Sequence, residues 1–207
     1  LSFAPVSEAD LRRALTAPAR AMRGDHDLNP GVRRNGPLRP AAVLCPVARR
    51  AHGLSVILTQ RPLSLREHPG QIAFPGGKLD RADASPLAAA LRESREEIGL
   101  RADQVEVLGA LEGYATGTGY AITPFVGLVA AGFSPLPEPG EVEAVFETPL
   151  DFLMDFRSHQ RLSRVYGGVE RHFWAMPWRD RFIWGATAGM LRALAERVAA
   201  ARDASAA

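Results

Sequence analysis

Apolar positions along this chain recur with two periods, and the switches between them lay out its elements. Residues 7–17 read as a short helix. Ser7 is placed to cap it, Asp10 stands at the reciprocal capping position, and Leu11 with Leu15 makes a one-sided stripe that Pro18 ends. Residues 24–40 are rich in Gly, Pro and Asn and read as loop. Strand-length apolar runs follow at 41–47 and 54–59, joined by the turn ARRAHG, and a shorter one at 71–74 leads into Pro75-Gly76-Gly77.

The most sharply punctuated helix covers 86–98. Ser85 is a natural N-cap, Pro86 suits the first helical position, Ala and Leu favour the interior, and Gly99 can stop the helix in left-handed backbone. Strands are expected at 105–111 and 122–129, a Pro-rich loop at 133–140, and either a strand or a short helix at 142–146. A further strand at 172–178 precedes a helix at 187–201 with Met190, Leu191, Leu194 and Val198 on one side. Strands interleave with helices, without internal repeat or domain-sized linker. This predicts one α/β domain over 1–207, with residues 1–40 as an N-terminal helix and loop extension.

Composition narrows the class. The 207 residues are 46% hydrophobic and 23% charged, enough for one real core and too apolar for wholesale disorder. Lys+Arg number 25 against 23 Asp+Glu, a net charge of +2, and no aromatic-basic interleaving is visible, so no nucleic-acid partner is expected. Lys78 is the single lysine; arginine supplies the remaining basic charge. Cys45 has no partner for an internal disulfide and sits in an apolar run as a core residue, and no Cys or His spacing suggests zinc. With no apolar run of membrane-spanning length and no targeting signal, the expectation is a cytoplasmic protein with a small-molecule substrate and no membrane partner. The N-terminal extension leaves room for a homodimer.

The chemistry concentrates in FPGGKLDRADASPLAAALRESREEIGL, residues 74–100. At about 100° per residue, Leu87, Leu91, Ser94 and Ile98 form an inward stripe, with Glu93, Glu96 and Glu97 on the opposite side within one turn. Three adjacent carboxylates repel one another unless cations or solvent relieve them. Hard oxygen ligands suit Mg²⁺ or Mn²⁺ when a substrate brings phosphates to complete the shell, although an ordinary solvated helix face has the same look. Arg92 falls beside the acidic cluster.

This segment resembles the signature of Nudix hydrolases: Gly, five residues, Glu, seven residues, then Arg-Glu-x-x-Glu-Glu-x-Gly and an aliphatic residue. Gly77 opens it, and Arg92, Glu93, Glu96, Glu97, Gly99 and Leu100 match its second half. Asp83 stands at the first acidic position, with one extra residue before Arg92. The departure looks like the coenzyme A pyrophosphatase branch of the family. The upstream stretch LTQRPLSLREHPGQIAFPGG resembles that branch's additional motif through Arg61, Arg66, His68, Gly70, Phe74 and Pro75. The segments GEVEAVFETPL and HFWAMP...IWGATAGML resemble its C-terminal part.

The resemblance implies a Nudix-type α/β/α sandwich with a mixed central sheet and a catalytic loop-helix-loop. It implies Mg²⁺ or Mn²⁺ held by Glu93, Glu96, Glu97 and the backbone carbonyl of Gly77, with Glu96 and Glu97 the strongest ligands and Glu93 either a ligand or the base. A later glutamate is implied to join the metal site or act as base: Glu141, with Glu143 as the alternative. Arg92 would hold a signature glutamate by a salt bridge, or be an ordinary helix-face pair. Arg61 and Arg66 would meet substrate phosphates. His68, Gly70, Phe74, Gly76 and Gly77 would shape the substrate site, and for Phe74 core packing is an equal reading. Of Phe173, Trp174, Trp178 and Trp184, which should pack the C-terminal layer, one has the chemistry to contact adenine.

The implied reaction is divalent-metal-dependent hydrolysis of coenzyme A, including acyl-CoA, to 4'-phosphopantetheine and 3',5'-ADP. Two alternatives stand beside it: a Nudix pyrophosphatase for another nucleoside diphosphate derivative such as ADP-ribose or NADH, and a non-catalytic nucleotide-binding protein.

Overall fold

The structure is a computed structural model that describes residues 5–18, 21–31, 36–64 and 68–206. The first half holds α1 (Glu8–Thr16), β1 (Arg23–Gly24), β2 (Arg39–Arg50), β3 (Gly53–Gln60), β4 (Ile72–Ala73), β5 (Gly76–Lys78) and α2 (Pro86–Ile98). The second holds β6 (Val105–Ala110), β7 (Tyr114–Ala115), β8 (Tyr120–Val129), β9 (Ala144–Pro149), α3 (Leu150–Met154), β10 (Gln160–Tyr166), β11 (Val169–Trp178), β12 (Arg181–Trp184) and α4 (Ala186–Ala206).

The central sheet is mixed. Its strand β2 runs parallel to β8 and antiparallel to β3 and β5. This strand is buried on both faces, which is why it reads as a continuous apolar run. Its period of two sends Val43, Cys45 and Val47 to one core layer and Ala42, Leu44 and Ala48 to the other. In the first layer they meet Leu11 and Leu15 of α1, Leu150 of α3 and Leu191 and Leu194 of α4; in the second they meet Ala89, Ala90 and Ile98 of α2. The result is an α/β/α sandwich. A separate antiparallel sheet, β10-β11-β12, leads into α4. Among the described residues no helix is long and apolar enough to cross a membrane.

Several expectations shift. The loop expected at 24–40 opens on the last residue of a short strand, β1, that joins the central sheet by pairing with β7, passes through a 3-10 turn at Asp25–Asp27, and ends in β2, which begins at Arg39. Of residues 142–146, the stretch from Ala144 on is strand, since Ala144–Pro149 pairs with β3. The hairpin between β2 and β3 is tighter than the six-residue turn expected, its pairing running out to Arg50 and Gly53. Gly76–Lys78, read as loop, is a strand on β2. Elements of two to five residues, such as β1, β5, β7 and α3, are too short to show a period.

The N-terminal helix contributes to the core. Val6, Leu11, Ala14 and Leu15 belong to the first apolar layer. Asp10 secures the segment: its carboxylate accepts from the Ser7 amide at 2.9 Å, the Ser7 hydroxyl at 2.7 Å, Arg13 at 2.6 Å and Arg202 of α4 at 2.9 Å. The Arg202 bond comes first in holding this carboxyl well below its ordinary value. A carboxyl depressed by folding contributes stability in full above its unfolded value, near 3.8, and loses it as pH falls toward the folded value. Asp10→Asn should therefore cost roughly 1–2 kcal/mol at pH 7, the scale of a lost cap and ion pair. In urea unfolding followed at pH 7 and pH 3, the gap between wild type and variant should narrow at the lower pH.

Candidate active site

The most informative helix forms as its local signals dictate. Ser85 accepts from the Ala88 amide at 3.1 Å, Pro86 is the first helical residue, and Gly99 ends α2 at φ 70°. The Gly99 amide bonds the Arg95 carbonyl at 3.0 Å and the Leu100 amide bonds Ser94 at 3.2 Å, satisfying the last turn.

Its rotation about its own axis differs from the expected stripe. The buried positions are Ala89, Ala90, Ser94, Glu97 and Ile98, while Leu87 and Leu91 are only half-buried. Ala89 and Ala90 pack in one layer with Ala42 and Ala48, and small residues at that contact carry α2 onto the sheet on its alanine flank. Glu97 is drawn inward to 7% exposure, so the three glutamates do not share an outward face. Glu93 is partly buried and Glu96 is exposed.

A cavity of about 580 Å³ opens beside this flank. Glu93, Glu97, Gly76, Gly77 and Glu141 line it, and so do Arg61, His68 and Phe74 from the upstream segment. Two adjacent glycines bring backbone up to the carboxylates. Gly76 holds φ at 151°, and a Cβ there would collide with the Ala42 carbonyl oxygen and the Val43 backbone. Its amide donates to Glu97 Oε2 at 3.3 Å. A Cβ on Gly77 would lie 2.5 Å from Glu93 Oε1.

Burial raises the Glu97 carboxyl to about 8. The Gly76 amide and the Arg61 charge pull it down, while Glu93 and Glu141 push it up. Glu93 is also raised, again by burial first, against the opposing pull of Arg92. Arg61 has a buried Nε with no hydrogen-bond partner among the described residues. Acidic groups short of compensating charge and an unsatisfied guanidinium nitrogen therefore share one concave surface.

Arg92 lies on the outer side of α2. It forms a two-point bond to Asp83 at 3.0 and 2.9 Å, and bonds Glu93 at 3.0 Å, Glu96 at 2.9 Å and the Lys78 carbonyl at 3.4 Å. Asp83 is thereby held below the ordinary carboxylate range, chiefly by Arg92. Glu96 points to this guanidinium and is not among the cavity-lining residues. Gly70 also lies off the wall, in a turn at φ 68° where a Cβ would meet Leu63. Glu143 is exposed and away from the cavity, whereas its alternative Glu141 lines it. Arg66 lies outside the described residues. Phe74 serves both readings, as a cavity wall and as a member of the core.

Sequence reasoning missed part of the wall. Asp25, Thr116, Thr118 and Tyr120 line the cavity on one side, and Trp184, Thr187 and Met190 on another. Asp25 is fixed there by the Tyr114 hydroxyl at 2.8 Å and the Gly117 amide at 2.6 Å. The tight Thr-Gly-Thr-Gly run at 116–119 was the one local hint. Of the four C-terminal aromatics, Trp184 is the one that reaches the cavity, set edge-on against Phe173 at 5.2 Å; Trp174 and Trp178 pack against the core. Cys45 is buried, and burial pushes its thiol far above the usual range, which leaves it inert.

This arrangement is that of a Nudix hydrolase. The NUDIX domain model matches residues 38–166, and the chain belongs to that family. It is 41% identical over 160 residues to the uncharacterized Nudix hydrolase NudL of Escherichia coli K12, covering 77% of this chain and 83% of that protein. To the protein of the same description from Shigella flexneri it is 41% identical over 173 residues, covering 83% of this chain and 89% of that one. Among solved structures, the Nudix hydrolase RenU of M. smegmatis is similar at 24% identity and TM-score 0.45, over 56% of this chain and 74% of that one.

Family membership supports pyrophosphohydrolase activity on a nucleotide-like substrate, and Nudix hydrolases typically use divalent metal ions. Among the described residues no group of three or more His, Cys, Asp or Glu side chains is drawn together as a cation cage. The donors at hand nevertheless fit a hard divalent ion. Two carboxylates with raised affinity for positive charge adjoin glycine backbone at the wall of the cavity.

The glycine pair makes a stability prediction. Gly76→Ala should cost more than about 2 kcal/mol, because its added methyl meets backbone that cannot step aside. Gly132→Ala is the control, with φ at 79° and open space around the new methyl, and should cost only the roughly 1 kcal/mol of left-handed backbone. Urea denaturation of the two variants measures the difference.

Proposed function

We propose that this chain hydrolyses the pyrophosphate linkage of coenzyme A, acyl-CoA included, to 4'-phosphopantetheine and 3',5'-ADP with Mg²⁺ or Mn²⁺. The observation that carries this reading is that Arg61, His68 and Phe74, which belong to the coenzyme A-type upstream motif, line the same cavity as Glu93 and Glu97. The departure of the signature at Asp83 belongs to the same resemblance.

In this reading Glu93, Glu97 and the Gly77 carbonyl hold the ion, with Glu96 at the outer edge of the set. When bound, it neutralises charge on the phosphoryl oxygens and makes its water a stronger acid. Glu141 shares the cavity lining with Glu93 and Glu97 and its charge acts on both, and it takes the proton from the attacking water. Arg61 offers its unpartnered Nε to the pyrophosphate, which supplies the acceptor this buried donor lacks. Arg92 is a positioning residue: its bonds to Asp83 and Lys78 fix the loop against the helix and hold Glu93 toward the ion. An ionised pyrophosphate resists nucleophiles until its charge is offset, so the electrostatic contribution dominates the rate.

Glu97→Gln should lower kcat by roughly 10²-fold or more with the unfolding transition retained, the scale expected when a positioned charge is removed. Unchanged Mn²⁺ affinity and activity would exclude Glu97 from the site. The substrate is tested by comparing kcat/KM for coenzyme A, ADP-ribose, NADH and nucleoside triphosphates, with products identified by mass spectrometry. Coenzyme A should lead. A dinucleotide or nucleotide sugar better by about tenfold, some 1.4 kcal/mol in transition-state binding, would show the coenzyme A assignment wrong and leave the family intact.

A further inference from the structure

On the Tyr120 side of the cavity, which also carries Asp25, stand two cations that the roles above leave unused. Arg39, Ala41 and Val43 stand at alternate positions of β2 and so share one face of it. Across the ladder Arg39 pairs with Tyr120 of β8, while Ala41 pairs with Lys78 and Val43 with Gly76 of β5. Ala41, Val43, Gly76, Lys78 and Tyr120 all line the cavity. One row of residues thus leads from Gly76, whose amide meets Glu97, to the rim.

At the rim two cations converge on one ring. The Arg39 guanidinium lies 4.2 Å from the centroid of Tyr120, and the Lys78 ammonium 5.9 Å from the same centroid. Neither forms an ion pair among the described residues. The acids nearest in sequence are otherwise engaged: Asp80 accepts from the Ala82 amide, and Asp83 is bound by Arg92. A ring quadrupole offsets a nearby cation only weakly, so two like charges beside one aromatic ring are left wanting an anion.

We infer that Lys78 and Arg39, held around Tyr120, bind a phosphomonoester of the substrate other than its pyrophosphate. The spacing suits this. Lys78 lies two strand residues from Gly76, about 7 Å along β5. That separation is comparable to the one between phosphates on the 3' and 5' oxygens of a single ribose. A rim that takes the second phosphate while the carboxylate end takes the pyrophosphate selects nucleotides with an added phosphate over those with a free hydroxyl. Lysine here acts as a compact point charge and arginine as a planar fork, a pairing suited to a dianion. The identity of the ligand as a coenzyme A 3'-phosphate rests on the function proposed above; the phosphate preference itself does not.

The experiment separates the two. Calorimetry measures the affinity of the intact protein for 3',5'-ADP and for AMP, which differ by that phosphate alone, in wild type, Lys78→Met, Arg39→Gln and the double variant. In parallel, kcat/KM is measured on coenzyme A and dephospho-coenzyme A. Methionine keeps an unbranched stem over Tyr120 while deleting the charge, and thermal melting checks that each variant is folded.

Wild type should bind 3',5'-ADP at least tenfold more tightly than AMP, with the preference shrinking as salt rises. Each single variant should lose several-fold of that ratio, the double variant nearly all of it, and coenzyme A should lose its advantage in parallel. No preference in the wild type, or a preference intact in the double variant, overturns the subsite even where coenzyme A is cleaved. A preference lost in the double variant of a protein that cleaves ADP-ribose and leaves coenzyme A untouched supports the subsite and overturns the coenzyme A reading alone.

Discussion

A single guanidinium, that of Arg92, ties the loop leading out of β5 to the helix that carries the glutamates. On the loop side it takes both oxygens of Asp83 and the carbonyl of Lys78; on the helix side it takes Glu93 and Glu96. The Asp83 bond comes first in raising its own pKa further, so the charge is permanent at any pH of interest. Without it, Glu93 and Glu96 would repel across one helical turn and the loop would have no fixed seat on α2. The extra residue in this loop is thus compatible with a closed clamp, because Asp83 reaches Arg92 in a two-point bond with its shorter side chain. β5 is held by its pairing with β2, and what the clamp adds is the seat of α2 on it, which sets Glu93 and Glu97 against the backbone of the two glycines.

The cavity is built as a polarised trough. At one end sit buried carboxylates whose protonation is favoured by burial, a state that a bound divalent ion would reverse. Along its walls lie Arg61 and His68, and at its rim Arg39 and Lys78 flank an aromatic ring. A ligand that carries its own cation at one place and bare phosphate at another satisfies both ends at once, whereas a neutral ligand satisfies neither.

The same trough explains why so much of the chain is needed to form it. Asp25 comes from the N-terminal segment, Thr116 from the loop ahead of β8, Tyr120 from the first position of β8, and Trp184 and Thr187 from the junction of β12 and α4. The N-terminal segment earns its place through α1, docked by Asp10 onto Arg202, and through β1, which extends the sheet and delivers Asp25. Among the described residues α1, α3 and α4 pack on one face of the sheet and α2 on the other, and the cavity takes lining residues from both layers, Thr187 and Met190 of α4 and Glu93 and Glu97 of α2.

The sequence by itself determined what depends on local chemistry. The limits of α2 follow from Ser85, Pro86 and Gly99 within one turn of each end, and the double burial of β2 follows from its unbroken apolar run. The set Arg92, Glu93, Glu96 and Glu97 was legible because one helix turn fixes their neighbourhood, as was the sharing of a site by the Arg61-His68 segment through its resemblance to a family motif. Only the tertiary structure decided which way α2 faces. Period and caps specify a helix but not its rotation, and here the close approach of Ala89 and Ala90 to the sheet turned Glu97 inward, left Leu87 and Leu91 half-exposed, and sent Glu96 outward to Arg92. It likewise decided the rim, for Arg39, Lys78 and Tyr120 are separated by some forty residues each and are joined only by strand register. Strands of two or three residues have no period to read; they exist because a neighbouring strand offers unpaired amides and carbonyls, and that neighbour is known only once the chain has folded.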